Sequence, residues 1–581
     1  MRLAFDIETN GLIRQGMDKI HCIVAQDIDT GEVHKFTPSN YRDGLKLLQD
    51  ATELWGHNII GYDIPAIQTI HPRWSPRGLV RDTLILSRLL FTDILDRDFR
   101  SRPANMPGNL YGRHSLESWG HRLGVHKSEF GKSLDGDWST FTPEMLEYCA
   151  QDVVVSVALV KLFEPKLEQY ASSIDTEHKI ASLMSWQEES GFPFDVSKAQ
   201  QLESTLRTEL DDLAGKMRDT FYWVPGKNMT PKRSNKTKGY HEGAEFCKLT
   251  EFSPTSRFHI GWAFQQFRGW EPTDFTDAGQ PKIDESILKG IGTDEALAFA
   301  RILELQKHLG QLSEGKNAWL KNVTPEDKLH HSCVLATNTG RMAHMRPNLA
   351  QVPSAHEYRE LFTAGPDRVV VGADASGLEL RCLGHYLSAF DGGRFADTVV
   401  NGDIHTDLAE IYGTDRKTSK GVTYCLIYGG GNAKLGSVAG GSSQKGAAIR
   451  KKIMADLKGF KALSDAVQER AKSGVLKGLD GRPIRLQGKN HAALNYLLQS
   501  AGAVICKLWV IRAHELLQEA GIDYTPLAFV HDEIQLSVHP DHVEKAEFCL
   551  TAAMRDVGAQ LKFRCQLDAE AQHGSSWADT H

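Results

Sequence analysis

Phe529-Val530-His531-Asp532-Glu533-Ile534-Gln535-Leu536 decides how the chain is read. Phe529 and Val530 close one apolar run. Ile534 and Leu536 then alternate with polar neighbours, so His531-Asp532 reads as the tip of a hairpin. Working outward, Val369-Val370-Val371-Gly372-Ala373-Asp374 is another apolar strand that ends in an acid, and Leu378 to His385 continues as a helix. Asp374 and Asp532 act together only if the fold lays these strand ends side by side. Otherwise they are two unrelated turn aspartates. Between them the patterns are helical to about Ser473, which gives a strand core interrupted by a long helical insertion.

The chain has 581 residues, 41% of them apolar and 24% charged. That length suits about four domains or subdomains, and the composition excludes a disordered or fibrous protein. A formal charge of −7 excludes a uniformly basic coat but leaves room for a local basic cleft. Met1 to Thr9 has no signal-sequence pattern, and the apolar run Val153 to Val160 is far below the roughly 18 residues of a membrane span. Nine cysteines without a Cys-x-x-Cys pair fit free thiols, no zinc site and a soluble cytoplasmic protein without a membrane. Residues 1–175 mix strand-like runs (Leu3 to Ile7, Ile20 to Ala25, Glu53 to Trp55) with helical ones (Asp82 to Leu95, Glu144 to Phe163), an α/β domain. Residues 285–322 look helical. Pro225 to Gly239 is the clearest loop; it holds Lys227, Lys232, Arg233, Lys236 and Lys238 and no acid. It is either a solvated basic loop or a contact to DNA backbone.

Asp6-Ile7-Glu8 lies on the first strand, where residues two apart share a face, so the two carboxylates project together. Asp63 follows Ile59-Ile60. Tyr148 and Asp152 lie four apart and share a helix face. Four converging acids suit two hard divalent cations such as Mg²⁺, which want carboxylate oxygen. Two ions ~3.5–4 Å apart can activate water against a phosphodiester. Each acid alone reads more readily as a cap or turn; the ordered set is what is specific. It resembles the 3′–5′ exonucleases of the proofreading and ribonuclease D type. That resemblance implies metal binding by Asp6, Glu8, Asp63 and Asp152 and water orientation by Tyr148.

Between the two distant aspartates, Arg416, Lys420, Tyr424 and Tyr428 recur every four residues and form one helical stripe. An aromatic stripe is usually core, but two cations leading two tyrosines suit a triphosphate and a stacked base. With this, the chain resembles the family A DNA polymerases of the Pol I type, in particular the replicative enzymes of short-tailed phages of the T-seven kind. The matches are Asp374 to Arg381, Gly402-Asp403-Ile404-His405-Thr406, Lys420 to Gly429, Leu479-Asp480-Gly481-Arg482, Leu497 to Gly502, Val530-His531-Asp532-Glu533, and Thr339-Gly340-Arg341 with Pro347 to Gln351.

The resemblance implies a multidomain α/β protein: a ribonuclease H-like 3′–5′ exonuclease domain joined to a right hand of palm, fingers and thumb. The expected boundaries are exonuclease 1–175, palm lead-in 176–200, thumb 201–335, palm 336–403, fingers 404–479 and palm 480–581. Asp374 and Asp532 would hold two Mg²⁺ ions. Arg416, Lys420 and His405 would grip a dNTP, with Lys420 also serving the leaving group. Tyr424 would lie against the nascent pair and sugar, and Glu379 would help exclude a 2′-hydroxyl. Tyr428 would neighbour the templating base. Arg341 and Gln499 would follow the minor groove of primer–template DNA, and His531 would touch the primer end. Implied partners are a primase-helicase and a single-stranded-DNA-binding protein.

Two departures stand out. Cys425 follows Tyr424 where the family usually has glycine. The segment Phe221 to Arg257 is short where the most similar family members carry an insertion that binds thioredoxin, so dependence on that clamp is not expected. A stand-alone exonuclease would leave the polymerase motifs beyond Asp152 unexplained. A non-catalytic nucleic-acid-binding scaffold would not need two complete acid sets.

Overall fold

The computed structural model describes residues 1–125 and 138–580. The described chain folds as two compact units, one of residues 1–192, 331–352 and 363–581, the other of 193–330 and 353–362.

The first unit opens with β1 (Arg2–Thr9), β2 (Ile20–Asp27), β3 (Val33–Phe36), β4 (Glu53–Gly56) and β5 (Leu79–Asp82). They form one sheet in the order β3-β2-β1-β4-β5, with β1, β4 and β5 mutually parallel. Leu3, Phe5 and Ile7 are buried on one face of β1. On the other face Ala4 packs with Cys22, Val24 and helix α2 (Pro143–Phe163). A strand buried on both faces is near-continuously apolar, and Asp6 and Glu8 are therefore conspicuous in it. Helix α1 (Asp63–Ile70) lies between β4 and β5. The run expected as one helix from Asp82 to Leu95 is broken: α3 spans Thr83–Leu90 and a separate helix starts at Ile94. Asp82 starts α3 by capping the Leu84 amide at 2.9 Å. Helix α4 (Ala171–Ser190) follows.

The second unit holds α5 (Val196–Phe221), capped by Asp195 onto the Lys198 amide at 2.9 Å. A hairpin of β6 (Trp223–Met229) and β7 (Phe246–Glu251) and helix α6 (Asp294–Leu309) come next. Of the loop expected over Pro225 to Gly239, only Pro225 to Met229 belong to β6, at a bulge that locally breaks the ladder; residues 230–239 lie outside the strands. Residues 353–362 belong to this unit too: Tyr358 bonds His308 at 2.6 Å and Glu360 pairs with Lys198 at 3.1 Å.

The first unit resumes with β8 (Ser332–Leu335) against β9 (Met342–Met345), then β10 (Val369–Ala375) and α7 (Leu378–Asp391). Helices α8 (Ile404–Tyr412) and α9 (Arg416–Ile427) lead to the short pair β11 (Val475–Lys477) and β12 (Pro483–Arg485). Helix α10 (Ala493–Glu519), β13 (Tyr524–Val530), β14 (Glu533–Val538) and β15 (Ala569–Gly574) complete it. The sheet order β13-β14-β10-β15 puts β10 between two strands made far later in the chain. By composition α10 and its flank are long and apolar enough to cross a membrane, but most of that stretch is buried inside the protein.

Four charged side chains, each at most 2% exposed, tie α4, α10 and the β11–β12 turn together. Lys507 donates to both oxygens of Glu177 at 2.6 and 2.8 Å. Arg482 reaches Glu177 at 2.7 Å and Asp480 at 2.7 Å. Burial pulls the Lys507 ammonium below its ordinary pKa against the raising effect of Glu177. The group is electrically balanced, two cations on two acids, which is how such charges are tolerated inside a protein.

Candidate active sites

The fold brings Asp374 and Asp532 together. Val530 pairs with Glu533 across a two-residue turn, and His531 there has φ of +57°, a left-handed conformation. In β10, Asp374 pairs with Glu533. The Ala375 amide donates to the Asp532 carbonyl at 3.0 Å, fastening the hairpin tip to the end of β10. Burial and the neighbouring Asp374 and Glu379 push the Asp532 carboxyl up to about 7. A carboxyl raised by burial and another acid is relieved by a bound cation.

Around this pair lie Arg341, Glu379 and His531, which with Asp532 and Gly502 line a cavity of about 20 Å³. Arg341 pairs with Glu379 at 3.5 Å and stands over the Tyr428 ring at 5.6 Å. The Tyr428 hydroxyl donates to Glu379. Arg341 is positioned from behind. Gly340 has φ of +84°, and a Cβ there would lie 2.3 Å from Arg482 Nη1, so the turn admits only glycine against the buried charges.

Helix α9 carries the cationic-aromatic stripe as far as Tyr424; Tyr428 is its terminal cap rather than a helical residue. Tyr424 and Tyr428 stack at 6.4 Å, and His405 of α8 lies 6.4 Å from the Tyr424 ring. Burial, then the negative charges of Glu379, Asp532 and Asp374, raise the Tyr424 pKa. Burial with Lys420 and Arg416 lowers that of His405. Arg416 pairs with Asp403 at 2.7 Å on the surface. Gln499 on α10 bonds Asn495 at 3.1 Å, and Asn495 in turn caps the Ile427 carbonyl. Cys425 fits because its neighbour is small: a Cβ at Gly430 would meet Cys425 Sγ at 2.3 Å.

A second acid cluster sits on the N-terminal sheet. Ligand atoms of Asp6, Glu8 and Cys149 lie within 4.8 Å of one another. The Cys149 thiol donates to the Asp6 carbonyl at 3.3 Å, and burial raises its pKa well above the ordinary value, so it stays a thiol. Asp63, the first residue of α1, accepts from the Ile7 amide at 3.2 Å, between the two strand acids. Burial raises the Asp63 carboxyl, with Asp82 and Asp152 adding to the rise. Asp152 is buried on α2, and Tyr148 one turn earlier packs against Trp138 at 6.2 Å.

Sequence reasoning missed what surrounds these acids. Buried Asp82 accepts from the Asn58 and Ile60 amides at 2.9 and 3.1 Å, holding the loop that delivers Asp63. Tyr62 bonds Thr9 at 2.5 Å and the Gly11 carbonyl at 2.8 Å. Beside it opens a cavity of about 420 Å³ whose lining includes Leu12, Tyr62, Arg88, Met184 and Met342. Its walls come from segments over 300 residues apart, which no local pattern could reveal.

Residues 227–579 match the family model described as DNA polymerase family A. The chain belongs to DNA polymerase family A. It is 33% identical to the DNA-directed DNA polymerase of Enterobacteria phage T3, covering 100% of both chains. To the polymerase of Escherichia phage T7 it is 34% identical, covering 99% of each. The T3 alignment runs over 708 positions, more than this chain's 581 residues, so the relative carries insertions that this chain lacks. Among solved structures, the POL domain of Pol1 from M. smegmatis in complex with DNA primer-template and dNTP superposes with a TM-score of 0.74 at 17% identity, covering 100% of this chain and 96% of that one. That likeness supports the mixed α/β polymerase fold.

Proposed function

We propose that this family A polymerase is a DNA-templated replicative enzyme, serving viral DNA, with a 3′–5′ proofreading nuclease on its N-terminal ribonuclease H-like sheet. The observation that carries the reading is the presence of two acid clusters, each gathered at its own sheet. Asp374 with Asp532, and Asp6 and Glu8 with Asp63 and Asp152, would each hold two Mg²⁺ ions, which lower the pKa of an attacking oxygen and offset charge on the leaving one. The chain's own residues do the rest. Lys420, Arg416 and His405 bind the triphosphate, and Lys420 donates to the pyrophosphate. Arg416 leaves Asp403 at little cost, because that pair is exposed. Tyr424 packs on the nascent pair, and Glu379, fixed by Tyr428 and Arg341, crowds the 2′ position of the sugar. Tyr428 neighbours the templating base. Arg341 and Gln499 follow the minor groove, and His531 meets the primer end. In the nuclease, Tyr148 orients water, and the Leu12–Tyr62 cavity receives a frayed 3′ end. Template-directed incorporation on a primed strand tests the polymerase; shortening of a single strand from its 3′ end tests the nuclease.

Tyr424 sets the response to dideoxynucleotides. Its hydroxyl can take over bonding that a 3′-hydroxyl otherwise supplies, whereas phenylalanine leaves a polar group unpaired. That costs on the order of 1–3 kcal/mol, roughly ten- to hundredfold. Tyr424→Phe is therefore expected to discriminate against dideoxynucleotides by that factor with near-normal dNTP use. The ratio of single-nucleotide incorporation efficiencies measures it, and equal ratios would remove Tyr424 from the sugar position.

The compact β6–β7 hairpin occupies the segment where a thioredoxin-binding insertion was not expected. Adding thioredoxin is expected to leave product length on a long primed template unchanged. A large increase in length would overturn this.

A further inference from the structure

A cavity of about 600 Å³ opens beside α9, and none of the roles proposed above uses it. Thr423, Leu426 and Ile427 of α9 form one wall, at positions between those of the cationic-aromatic stripe. The other walls come from α8, α10 and two further helices, Ser443–Asp456 and Phe460–Ala471. Leu426, Leu457, Phe460 and Leu494 line it and are apolar, yet they are only partly buried. Apolar side chains left half in contact with water gain by being covered. The volume falls within the roughly 300–1,000 Å³ of small-molecule sites. Its charge is one-sided. Among the described residues that line the cavity none is Asp or Glu, in a chain that holds 74 acids, and Arg450 is the only Lys or Arg. The Arg450 guanidinium is bonded to neutral oxygens: Nε donates to Asn432 Oδ1 at 2.9 Å and Nη2 to the Gly430 carbonyl at 2.6 Å. A cation held by neutral acceptors, in a cavity without acids, favours an anion over either of them.

We propose that this cavity binds a small molecule with an aromatic or alicyclic body and one anionic group, the body against the leucines and the anion on Arg450, and that its occupancy is felt by α9. The second half rests on the polymerase reading above. Two lining side chains hold the end of α9. Arg450 fastens Gly430 and Asn432 just beyond it, and Asn495 caps the Ile427 carbonyl. A charge-assisted bond to an anion is stronger than one to a carbonyl, so a bound anion draws Arg450 away from the chain it fastens. The helix whose end is released carries Lys420 and Tyr424, and incorporation slows without any overlap between the ligand and the triphosphate.

The test uses two fluorescent probes with the full-length protein: anilinonaphthalene sulfonate, and phenyl-naphthylamine, which has the same rings and no charge. The sulfonate is expected to bind the folded wild type saturably, and about tenfold or more tightly than the uncharged probe. Arg450→Gln is expected to weaken the sulfonate by about that factor and to leave the uncharged probe unchanged. Equal affinity of the two probes for the wild type overturns the site, and that comparison holds even if the variant fails to fold. Equal loss of both probes in a folded Arg450→Gln protein also overturns it, since the arginine would then only shape the cavity. In template-directed incorporation, saturating sulfonate is expected to lower the wild-type rate at least threefold, with no reversal by excess dNTP and no effect on Arg450→Gln. A wild-type rate untouched by bound sulfonate overturns the link to α9. A wild type that extends no primed template overturns the polymerase reading, while the probe affinities still decide the site.

Discussion

Asp374→Ala, or Asp532→Ala, is expected to lower nucleotide incorporation by about a thousandfold or more, because several kcal/mol of charge stabilisation would disappear with the proposed cation site. Release of nucleotides from single-stranded 3′ ends should continue, since Asp6 and Glu8 lie on a different sheet and Asp63 and Asp152 on helices beside it. Asp6→Ala with Glu8→Ala should do the converse. Neither change should unfold the protein. Asp532 sits under repulsion from Asp374 and Glu379, so removing its carboxyl relieves strain rather than breaking a bond the fold depends on. The two assays, run on the same preparations, decide the matter. A well-folded Asp374→Ala protein that had lost both activities would mean the two acid sets serve one centre.

Glu177→Gln is the second change with a large expected effect, and it acts on stability. It keeps the side-chain volume but leaves Lys507 and Arg482 facing Asp480 alone, with one uncompensated positive charge in a fully buried group. Breaking such a group by removing one partner costs about 3–5 kcal/mol. The first unit should unfold at markedly lower urea. Adding Lys507→Met removes the excess charge and should restore most of the loss, because apolar replacement of a buried pair is often neutral. If the double variant unfolds as readily as the single one, charge imbalance is not the cause.

Local chemistry was legible and long-range assembly was not. Asp6 and Glu8 could be read because two acids on an apolar strand have no packing role, and the stripe from Arg416 to Tyr424 because cations at helical spacing beside tyrosines are unusual. The pairing of Asp374 with Asp532 depends on β10 lying beside β14, and only a resemblance to a family suggested it. The loop between β6 and β7 starts five residues later than expected because Pro225 and Gly226 are turn residues by propensity, whereas here they sit in a bulged strand. Nothing local marks Glu177 as buried: it looks like any helix-surface acid until Lys507 meets it from 330 residues away. The cavity beside Tyr62 likewise exists only once β8 and β9 have closed it.

The place of β10 in its sheet also governs when the enzyme first becomes competent. Its neighbours, β14 and β15, lie toward the carboxyl end, with Asp374 bridged to Glu533 on one side and Glu570 on the other. A ribosome that has just made Asp374 must add nearly 200 more residues before Glu570 and its strand emerge, about 10–40 s at ordinary elongation speeds. Until β14 is made β10 has two open edges and Asp374 lacks Asp532 beside it, and the second edge stays open until β15 follows. The acids of the proposed nuclease, complete by Asp152, are made long before. On the proposed function, a nascent chain would therefore pass through a period in which it carries the means to remove nucleotides and lacks the means to add them.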